Sequence, residues 1–234
     1  MERGLAASRE RARALILAGR VRVDGQVVSK AGAPVAATAA IDLDAPDHPY
    51  VSRGGVKLAH ALDAFGIDPT RRHALDIGAS TGGFTDVLIG RGAAAVVALD
   101  VGHGQLDWRL RNDPRVAVRE GVNARHLSRD DVPAATNLVT IDVAFISLGH
   151  IFPALAPLLT RGADVVALVK PQFEAGRAQV GKGGLVTDPA VHDAVLARVT
   201  QMAADAGFER VNMVPAAITG ATGNQEFFLH LRRT

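Results

Sequence analysis

The chain has 234 residues, of which 48% are hydrophobic, and it contains no cysteine. This length suits one large domain, or a small domain followed by a medium one. Without cysteine there is no disulfide framework, no thiolate nucleophile and no cysteine-ligated metal. The sequence also lacks a charge-free apolar stretch of about 18 residues and an apolar N-terminal signal segment. We therefore expect a soluble, cytoplasmic protein without membrane contact.

Positive charge is concentrated near the N-terminus. Residues 1–30 carry a net charge of +4 in a chain whose net charge is +2, so the remaining residues carry −2. A basic segment ahead of a near-neutral body indicates a module that binds a polyanion. A solvated basic helix would have the same composition, so the charge alone leaves both interpretations open.

The first elements of the chain predict a small separate domain. A helix is expected from an N-cap at Ser8 to a stop at Gly19, followed by two short strands joined by a tight turn at Asp24 and Gly25. The run "DLDAPDHPY" has two prolines, three aspartates and no apolar period, which is typical of a linker. We predict a small domain over residues 1–45, a linker over 46–52 and a second domain over 53–234.

The stretch "YVSRGGVKLAHAL" predicts a helix with one unusual residue. Leu58, Leu62 and Phe65 share a helix face, and Lys57 falls in the first turn. A cation is disfavoured there, because the positive end of the helix dipole lies at the N-terminus. Lys57 is either a surface lysine whose stem covers apolar groups, or a cation that faces an anionic group inside a cleft.

From residue 73 onward, apolar strand patterns alternate with helical ones. "AAVVALD" and "ADVVALV" are apolar runs apart from one aspartate each, which is typical of strands buried on both faces. "HIFPALAPLL" predicts a helix disturbed by proline, and a long amphipathic helix starts at Pro189. "QEFFLHLRR" predicts a closing strand. The fold class is therefore α/β, with a mostly parallel sheet covered by helices.

Ligands of such sheets bind at the carboxyl ends of the strands, near the point where the strand order switches. After the first strand, "LDIGASTGGF" contains glycines that permit close backbone approach, but it does not have the G-x-G-x-x-G spacing of dinucleotide sites. Asp100 ends the second strand and could accept hydrogen bonds from ribose hydroxyls. Asn123 ends the third strand, where a simple turn residue is an equal alternative.

Further charged residues lie at the later strand ends. Asp142 follows the apolar run "NLVTI", where an unpaired buried carboxylate would be costly. Lys170 ends the fifth strand, so the two opposite charges can lie close together if their strands are neighbours. Glu226 begins the last strand. Together with Lys57, these residues predict two lysines and two acids around one cleft, although a structural role for Asp142 remains an alternative.

The order and spacing of several segments resemble the TlyA family of ribosomal RNA 2′-O-methyltransferases, whose catalytic domain is similar to FtsJ. The resemblance covers nearly the whole chain. It rests on "YVSRGGVKL", "ALDIGASTGGFTDVL", "ALDVGHGQLDWRLRNDPRV", "TIDVAFISL", "LVKPQFE", "GKGGLVTDPAVH" and "GNQEFFLHLR". The resemblance implies a Rossmann-like methyltransferase fold with a seven-stranded, mostly parallel sheet whose last strand is antiparallel. A small α+β RNA-binding domain of the ribosomal-protein type would precede it.

The resemblance also implies functional residues. S-adenosylmethionine would be the cofactor, and rRNA or ribosomal subunits the partners, with no metal and with an oligomeric state left open. The catalytic tetrad would be Lys57, Asp142, Lys170 and Glu226. The cofactor would contact Gly78, Ala79, Ser80, Thr81, Gly82, Gly83, Phe84, Asp100, Asn123 and Asp142. RNA would contact Arg3, Arg9, Arg11, Arg13, Arg20, Arg22 and Arg53.

Two departures and three alternatives accompany this interpretation. The family's "RLD-x-L-L" segment does not precede "ERGLA", so we expect the N-terminal domain to lack its first helix. The chain closes on "LRRT", so the resemblance leaves open whether the target cytidine is in 23S rRNA, 16S rRNA or both. A non-catalytic RNA-binding protein, a nucleotide-dependent oxidoreductase and a cytolysin are the alternatives to a methyltransferase.

Overall fold

The computed structural model describes residues 5, 9–17, 19–43 and 48–234, without the side chains of residues 10, 11 and 14. The chain divides into two compact units, Met1–Pro49 and Tyr50–Thr234. The predicted helix cap at Ser8, the side chains of Arg3 and Arg11, and linker residues 46–47 lie outside the described residues. The linker over 46–52 stays a prediction.

The N-terminal unit contains one helix and a small antiparallel sheet. Asp24 and Gly25 both have positive φ, at 47° and 80°, as the tight turn between the first two strands requires. The third strand was not predicted, because its two half-buried apolar residues are too few to show an alternating pattern beside the acidic run that follows. The elements are α1 (Arg9–Leu17), β1 (Val21–Val23), β2 (Gln26–Val27) and β3 (Ile41–Leu43), with strand order β2-β1-β3.

The second unit is built on a seven-stranded sheet. Its strands are β4 (His73–Ile77), β5 (Ala95–Asp100), β6 (Val116–Glu120), β7 (Leu138–Ile141), β8 (Asp164–Val169), β9 (Phe208–Pro215) and β10 (Phe227–Arg233). The order is β6-β5-β4-β7-β8-β10-β9. Strands β4 to β8 are parallel, and β10 is antiparallel to both of its neighbours. The strand order therefore switches direction between β4 and β7, and this places a ligand crevice at their carboxyl ends.

Helices cover both faces of this sheet. Leu58 and Leu62 are fully buried against one face together with Phe228, as the helical pattern predicted. On the other face Phe152 packs against Phe208, with ring centroids 5.8 Å apart. The helices are α2 (Arg53–Phe65), α3 (Gly83–Gly90), α4 (Trp108–Arg111), α5 (Phe152–Leu155), α6 (Pro171–Glu174) and α7 (Pro189–Asp205).

Two helices show how local sequence sets element boundaries. The proline-disturbed run forms only the short α5, with 3₁₀ turns at Leu148–His150 and Ala156–Leu158 on either side. Helix α7 begins at Pro189, and the side chain of Asp188 accepts a hydrogen bond from the backbone N–H of Ala190. Proline at the first position forfeits no hydrogen bond there, because that N–H has no partner within the helix.

The amino end of β8 carries a buried electrostatic cluster away from the carboxyl ends. Asp164 accepts hydrogen bonds from His230 Nε2 and Arg72, both at 2.9 Å, and from Arg232 at 3.3 Å. Burial alone would raise the pKa of Asp164, but the His230 and Arg72 hydrogen bonds hold it below its ordinary value. This cluster joins β8 and β10 at the end of the sheet opposite the crevice.

Candidate active site

Lys57 is a buried cation that pairs with a buried acid. Its side chain comes from the start of α2, and its Nζ lies 2.6 Å from Glu226 Oε2. Lys57 is 8% exposed and Glu226 only 2% exposed. The surface-lysine interpretation is therefore wrong, because a nearby carboxylate compensates the charge at the N-terminal end of the helix. Two residues before Lys57, Gly55 packs closely against Tyr50, where a methyl group would overlap the Tyr50 side chain.

Asp142 and Lys170 form a second ion pair. Asp142 follows β7 and Lys170 follows β8, so neighbouring parallel strands bring the two residues to the same end of the sheet. Lys170 Nζ lies 2.5 Å from Asp142 Oδ1. That contact lacks the angles of a hydrogen bond, and Oδ1 has no other partner. With side-chain exposures of 15% and 24%, this pair is more open than the Lys57–Glu226 pair.

The loop after β4 wraps closely around the start of the crevice. Gly78 has a φ of 85°, and a methyl group there would overlap the Asp142 carbonyl oxygen. Gly82 has a φ of 96° and no room beside Leu110. Ser80 adopts a left-handed φ of 47° although it is not glycine, which is a strained conformation of the kind found at ligand-binding loops.

Two predicted polar residues also have structural roles. Asp100 accepts hydrogen bonds from the backbone N–H groups of Ser80 at 2.8 Å and Gly102 at 2.7 Å, which ties the loop to the end of β5. Asn123 accepts a hydrogen bond from Arg125 N at 3.0 Å and caps a 3₁₀ turn. The turn alternative for Asn123 is thus correct, yet the residue also lines the cavity described next.

A cavity of about 650 Å³ opens at the carboxyl ends of β4, β5 and β7. Asp142 lines it and also lines a smaller cavity of about 140 Å³ beside Lys57. The larger cavity is bordered by Ile77, Gly78, Ser80, Leu99, Asp100, Val101, Gln105, Val122, Asn123, Ala124, Arg125, Asp142, Val143, Ala144, Phe145, Ile146 and Lys170. The predicted loop residues Ala79, Thr81, Gly83 and Phe84 border the smaller one instead, again with Gly78 and Ser80.

Some of these lining residues were missed by sequence reasoning. Gln105 accepts a hydrogen bond from Ser80 Oγ at 3.1 Å, and Phe145 is 87% exposed at the cavity with a left-handed φ of 62°. Both belong to segments that carried the family resemblance, but they lie in loops rather than at strand ends. The signal that could have identified Gln105 and Phe145 as site residues was their place in those segments.

Asp76 is a fully buried carboxyl beneath the glycine-rich loop that follows β4. It accepts hydrogen bonds from Thr85 Oγ1 at 2.7 Å and Thr140 Oγ1 at 3.0 Å. Burial raises the pKa of Asp76 to about 7, against the lowering effect of the two threonine hydroxyls. Asp76 therefore joins β4, β7 and α3 directly behind the crevice.

The predicted RNA-binding arginines that the structure describes are exposed. Arg9, Arg13, Arg20 and Arg22 are exposed in the N-terminal unit. Arg53 is exposed at the start of α2, and its guanidinium donates to the Thr219 carbonyl at 2.9 Å. Their contact with RNA stays a prediction.

Within residues 5, 9–17, 19–43 and 48–234, no group of three or more His, Asp or Glu side chains could hold a metal ion. Over the same part of the chain, no helix is both long and apolar enough to cross a membrane.

The sheet order with an antiparallel β10, and the glycine loop at the switch point, define a Rossmann-like methyltransferase. A family model described as FtsJ-like methyltransferase matches residues 50–233, and an S4 domain model matches residues 2–41. The chain belongs to the TlyA family of FtsJ-like methyltransferases. This membership confirms the predicted fold class, the ribosomal-protein-type N-terminal domain, the enzyme class and S-adenosylmethionine as cofactor.

Three relatives illustrate the similarity. The Mycobacterium tuberculosis protein named 16S/23S rRNA (cytidine-2′-O)-methyltransferase TlyA is 48% identical over 99% of this chain and 87% of its own length. Hemolysin A of Brachyspira hyodysenteriae is 41% identical over 97% of this chain and 95% of its length. A solved Streptococcus thermophilus structure that carries the hemolysin name has a TM-score of 0.80 and 44% identity, covering 100% of this chain and 86% of that one.

Proposed function

We propose that this protein transfers a methyl group from S-adenosylmethionine to the ribose 2′-hydroxyl of a cytidine in 23S rRNA, 16S rRNA or both. The observation that carries the proposal is the Asp142–Lys170 ion pair, which faces a ligand-sized cavity at the strand switch. The Mycobacterium tuberculosis relative, which this chain matches over nearly its full length, is named for this activity. Family membership favours this function over the oxidoreductase, cytolysin and non-catalytic alternatives.

The cavity residues fit S-adenosylmethionine. Asp100 stands where a carboxylate can accept from ribose hydroxyls, and Asn123 offers an amide to the adenine. Gly78 leaves room for ligand and backbone where a side chain would collide with Asp142. Asp142 is an anion beside the site of a sulfonium cation, and apolar side chains such as Leu99 and Val122 supply the walls.

The cofactor supplies an activated methyl group, so the protein has to position the hydroxyl and remove its proton. In the transfer, the O–C bond would form as the C–S bond breaks with its electron pair left on sulfur, and the hydroxyl proton would pass to neutral Lys170 or, if Lys170 is charged, to water. Lys170 contacts the 2′-oxygen, either as the base in its neutral form or as a charged donor that steers the nucleophile. Asp142 orients Lys170 through their ion pair.

Lys57 and Glu226 form the more buried half of the tetrad. Because each compensates the charge of the other, the pair adds no net charge to the crevice. Lys57 also borders the smaller cavity next to Asp142, which is a suitable place for the ribose and the adjacent phosphate. We assign this pair to substrate placement rather than to proton removal.

Phe145 is suited to hold the target base. Its ring is exposed at the rim of the larger cavity and lies 5.0 Å from the Phe173 ring. Folded rRNA has to present its target nucleotide out of the stack, and an exposed aromatic ring offers a surface for the extruded base. Phe145→Ala should lower the methylation rate more than it weakens donor binding, although Phe145 also borders the donor cavity. Equal loss of both would contradict a role in holding the base.

The decisive experiment is mapping of 2′-O-methylcytidine by mass spectrometry. Ribosomal subunits that lack the modification are incubated with S-adenosylmethionine and either the wild-type protein or Lys170→Ala. We expect a new 2′-O-methylcytidine only with the wild-type protein, and the subunit that carries it identifies the target. Methylation of a base, or no methylation of either subunit, would contradict the proposal. Because the proposed substrate is ribosomal RNA, we also propose that the protein is cytoplasmic.

A further inference from the structure

Glu174 is a buried acid immediately behind the ion pair. It is the last residue of α6, the helix that starts directly after Lys170. Its Oε2 accepts a hydrogen bond from Ser147 Oγ at 2.7 Å, and its Oε1 accepts one from Leu148 N at 2.8 Å. Burial raises the pKa of Glu174, although the Leu148 and Ser147 hydrogen bonds act in the opposite direction. The side chain is only 7% exposed, so it does not itself face the cavity.

The two residues that Glu174 holds end the loop that begins at Asp142. Residues 142–146 all border the larger cavity. Phe145 in this loop has a left-handed backbone, which such a residue keeps only when its surroundings impose it. Helix α6 contacts the loop twice, through the Phe173 ring against Phe145 and through the Glu174 carboxylate at Ser147 and Leu148.

Besides the Phe145–Phe173 ring contact, two polar connections join the segment after β7 to the segment after β8. On the cavity side the connection is the Asp142–Lys170 ion pair, which is partly exposed. A partly exposed ion pair holds its side chains weakly, because solvent screens it and ordering costs entropy. On the interior side the connection is Glu174, which accepts a buried hydrogen bond from Leu148 N and a part-buried one from Ser147 Oγ. Hydrogen bonds to a buried carboxylate fix geometry more firmly than a partly exposed ion pair does.

We propose that Glu174 is a positioning residue for methyl transfer. By holding Ser147 and Leu148, Glu174 fixes the position of residues 142–146, which form one wall of the cavity. It thereby keeps Asp142 within ion-pair distance of Lys170. The role in methyl transfer rests on the proposed function. The effect of Glu174, a buried acid, on the shape of a donor cavity that it does not border can be tested without RNA.

Three variants of the whole protein separate positioning from general destabilisation. Glu174→Ala leaves the buried Leu148 N–H without its acceptor. Glu174→Gln can keep both contacts, with its oxygen accepting from Leu148 N and its amide donating to Ser147 Oγ. Asp164→Asn is the matched control, because it perturbs a buried acid at the other end of β8, within the cluster with Arg72 and His230.

Amide hydrogen exchange over residues 142–150 and the calorimetric Kd for S-adenosylmethionine are measured for each variant. Glu174→Ala should exchange faster in this segment and bind S-adenosylmethionine about tenfold more weakly. This is the size of effect expected when a buried N–H group, here that of Leu148, loses its hydrogen-bond acceptor. Glu174→Gln should restore both readouts. Asp164→Asn should lower the melting temperature but leave the donor Kd unchanged.

Unchanged exchange and unchanged Kd in Glu174→Ala would overturn the proposal. So would an equal loss of affinity in Asp164→Asn, which would indicate general destabilisation. If Glu174→Ala does not fold, Ser147→Ala removes one of the two contacts and should shift both readouts in the same direction by less. A wild-type protein that binds the donor but leaves rRNA unmodified would contradict the proposed function alone.

Discussion

The Nζ atom of Lys170 lies 2.5 Å from Asp142 and faces the larger cavity, where it can meet a substrate hydroxyl. We expect Lys170→Ala to lower the single-turnover methylation rate by about 10²- to 10⁴-fold, the usual contribution of a positioned acid or base. The donor Kd, measured by calorimetry, should change far less than the rate, although Lys170 borders the donor cavity. A methylation rate close to that of the wild type would contradict both roles assigned to Lys170.

Lys170→Arg distinguishes the two roles. Arginine keeps the positive charge but does not give up a proton in a protein, so it cannot act as the base. If Lys170 steers the nucleophile as a cation, Lys170→Arg should retain much of the single-turnover rate. If Lys170 removes the proton, the arginine variant should be as slow as Lys170→Ala.

Asp76 should make the stability of the fold depend on pH. Its folded pKa of about 7 lies above the ordinary aspartate value, so between about pH 4 and pH 7 the folded state binds more protons than the unfolded state. The free energy of unfolding should therefore fall as pH rises through this window. The slope is at most about 1.4 kcal/mol for each pH unit.

Asp76→Asn isolates this effect, because asparagine can hydrogen-bond both threonines without titrating. In urea unfolding at pH 5, 6, 7 and 8, the wild type should lose stability relative to Asp76→Asn as pH rises. Asp193→Asn, at an exposed acid of α7, serves as the control and should follow the wild type. Parallel curves for the wild type and Asp76→Asn would show that Asp76 is not the titrating group.

At the scale of elements, the loop after β4 packs directly against the end of β7, and this close packing requires glycine at position 78. Gly78→Ala places a methyl group in a left-handed conformation and against the Asp142 carbonyl. We expect it to weaken donor binding at least tenfold and to cost about 1–3 kcal/mol of stability. Gly162→Ala is a matched control, since Gly162 has a similar φ of 82° but nothing within 4 Å. Equal effects of both substitutions on the donor Kd would contradict a specific role for the close contact.

Strands and strand ends were predictable for a physical reason. Strand β8 is buried along its whole length, and after Asp164 its sequence is a continuous apolar run. Strand β3 escaped prediction because three residues cannot establish a period. Asp142 and Lys170 could be placed together since their strands were expected to be neighbours. The partner of Lys57 could not be chosen between the acids, because the sequence pattern does not reveal that β10 lies between β8 and β9.

At the scale of the whole molecule, the two units carry separate tasks in the proposed function. The exposed arginines of the N-terminal unit should supply affinity for the RNA backbone. We expect the combined replacement of Arg9, Arg13 and Arg20 by glutamine to weaken rRNA binding and to reduce its salt dependence, with the slope of log K against log salt falling by about 2–3. The donor Kd should not change.

Arg161→Gln is a single-charge control for that experiment, since Arg161 is an exposed arginine of the second unit and its replacement removes one positive charge where the triple variant removes three. Its rRNA affinity should stay close to that of the wild type. If the triple variant and this control bind rRNA with the same affinity and the same salt slope, the N-terminal unit is not the polyanion-binding module.

The Lys57–Glu226 pair joins residues 169 positions apart in the sequence. During synthesis, Lys57 leaves the ribosome long before the segment that carries Glu226 has been translated. Strand β10 enters the sheet between β8 and β9, so the sheet is complete only when this late segment has been inserted. A nascent chain therefore lacks Glu226, and with it a complete tetrad, until the last part of its sequence has been translated.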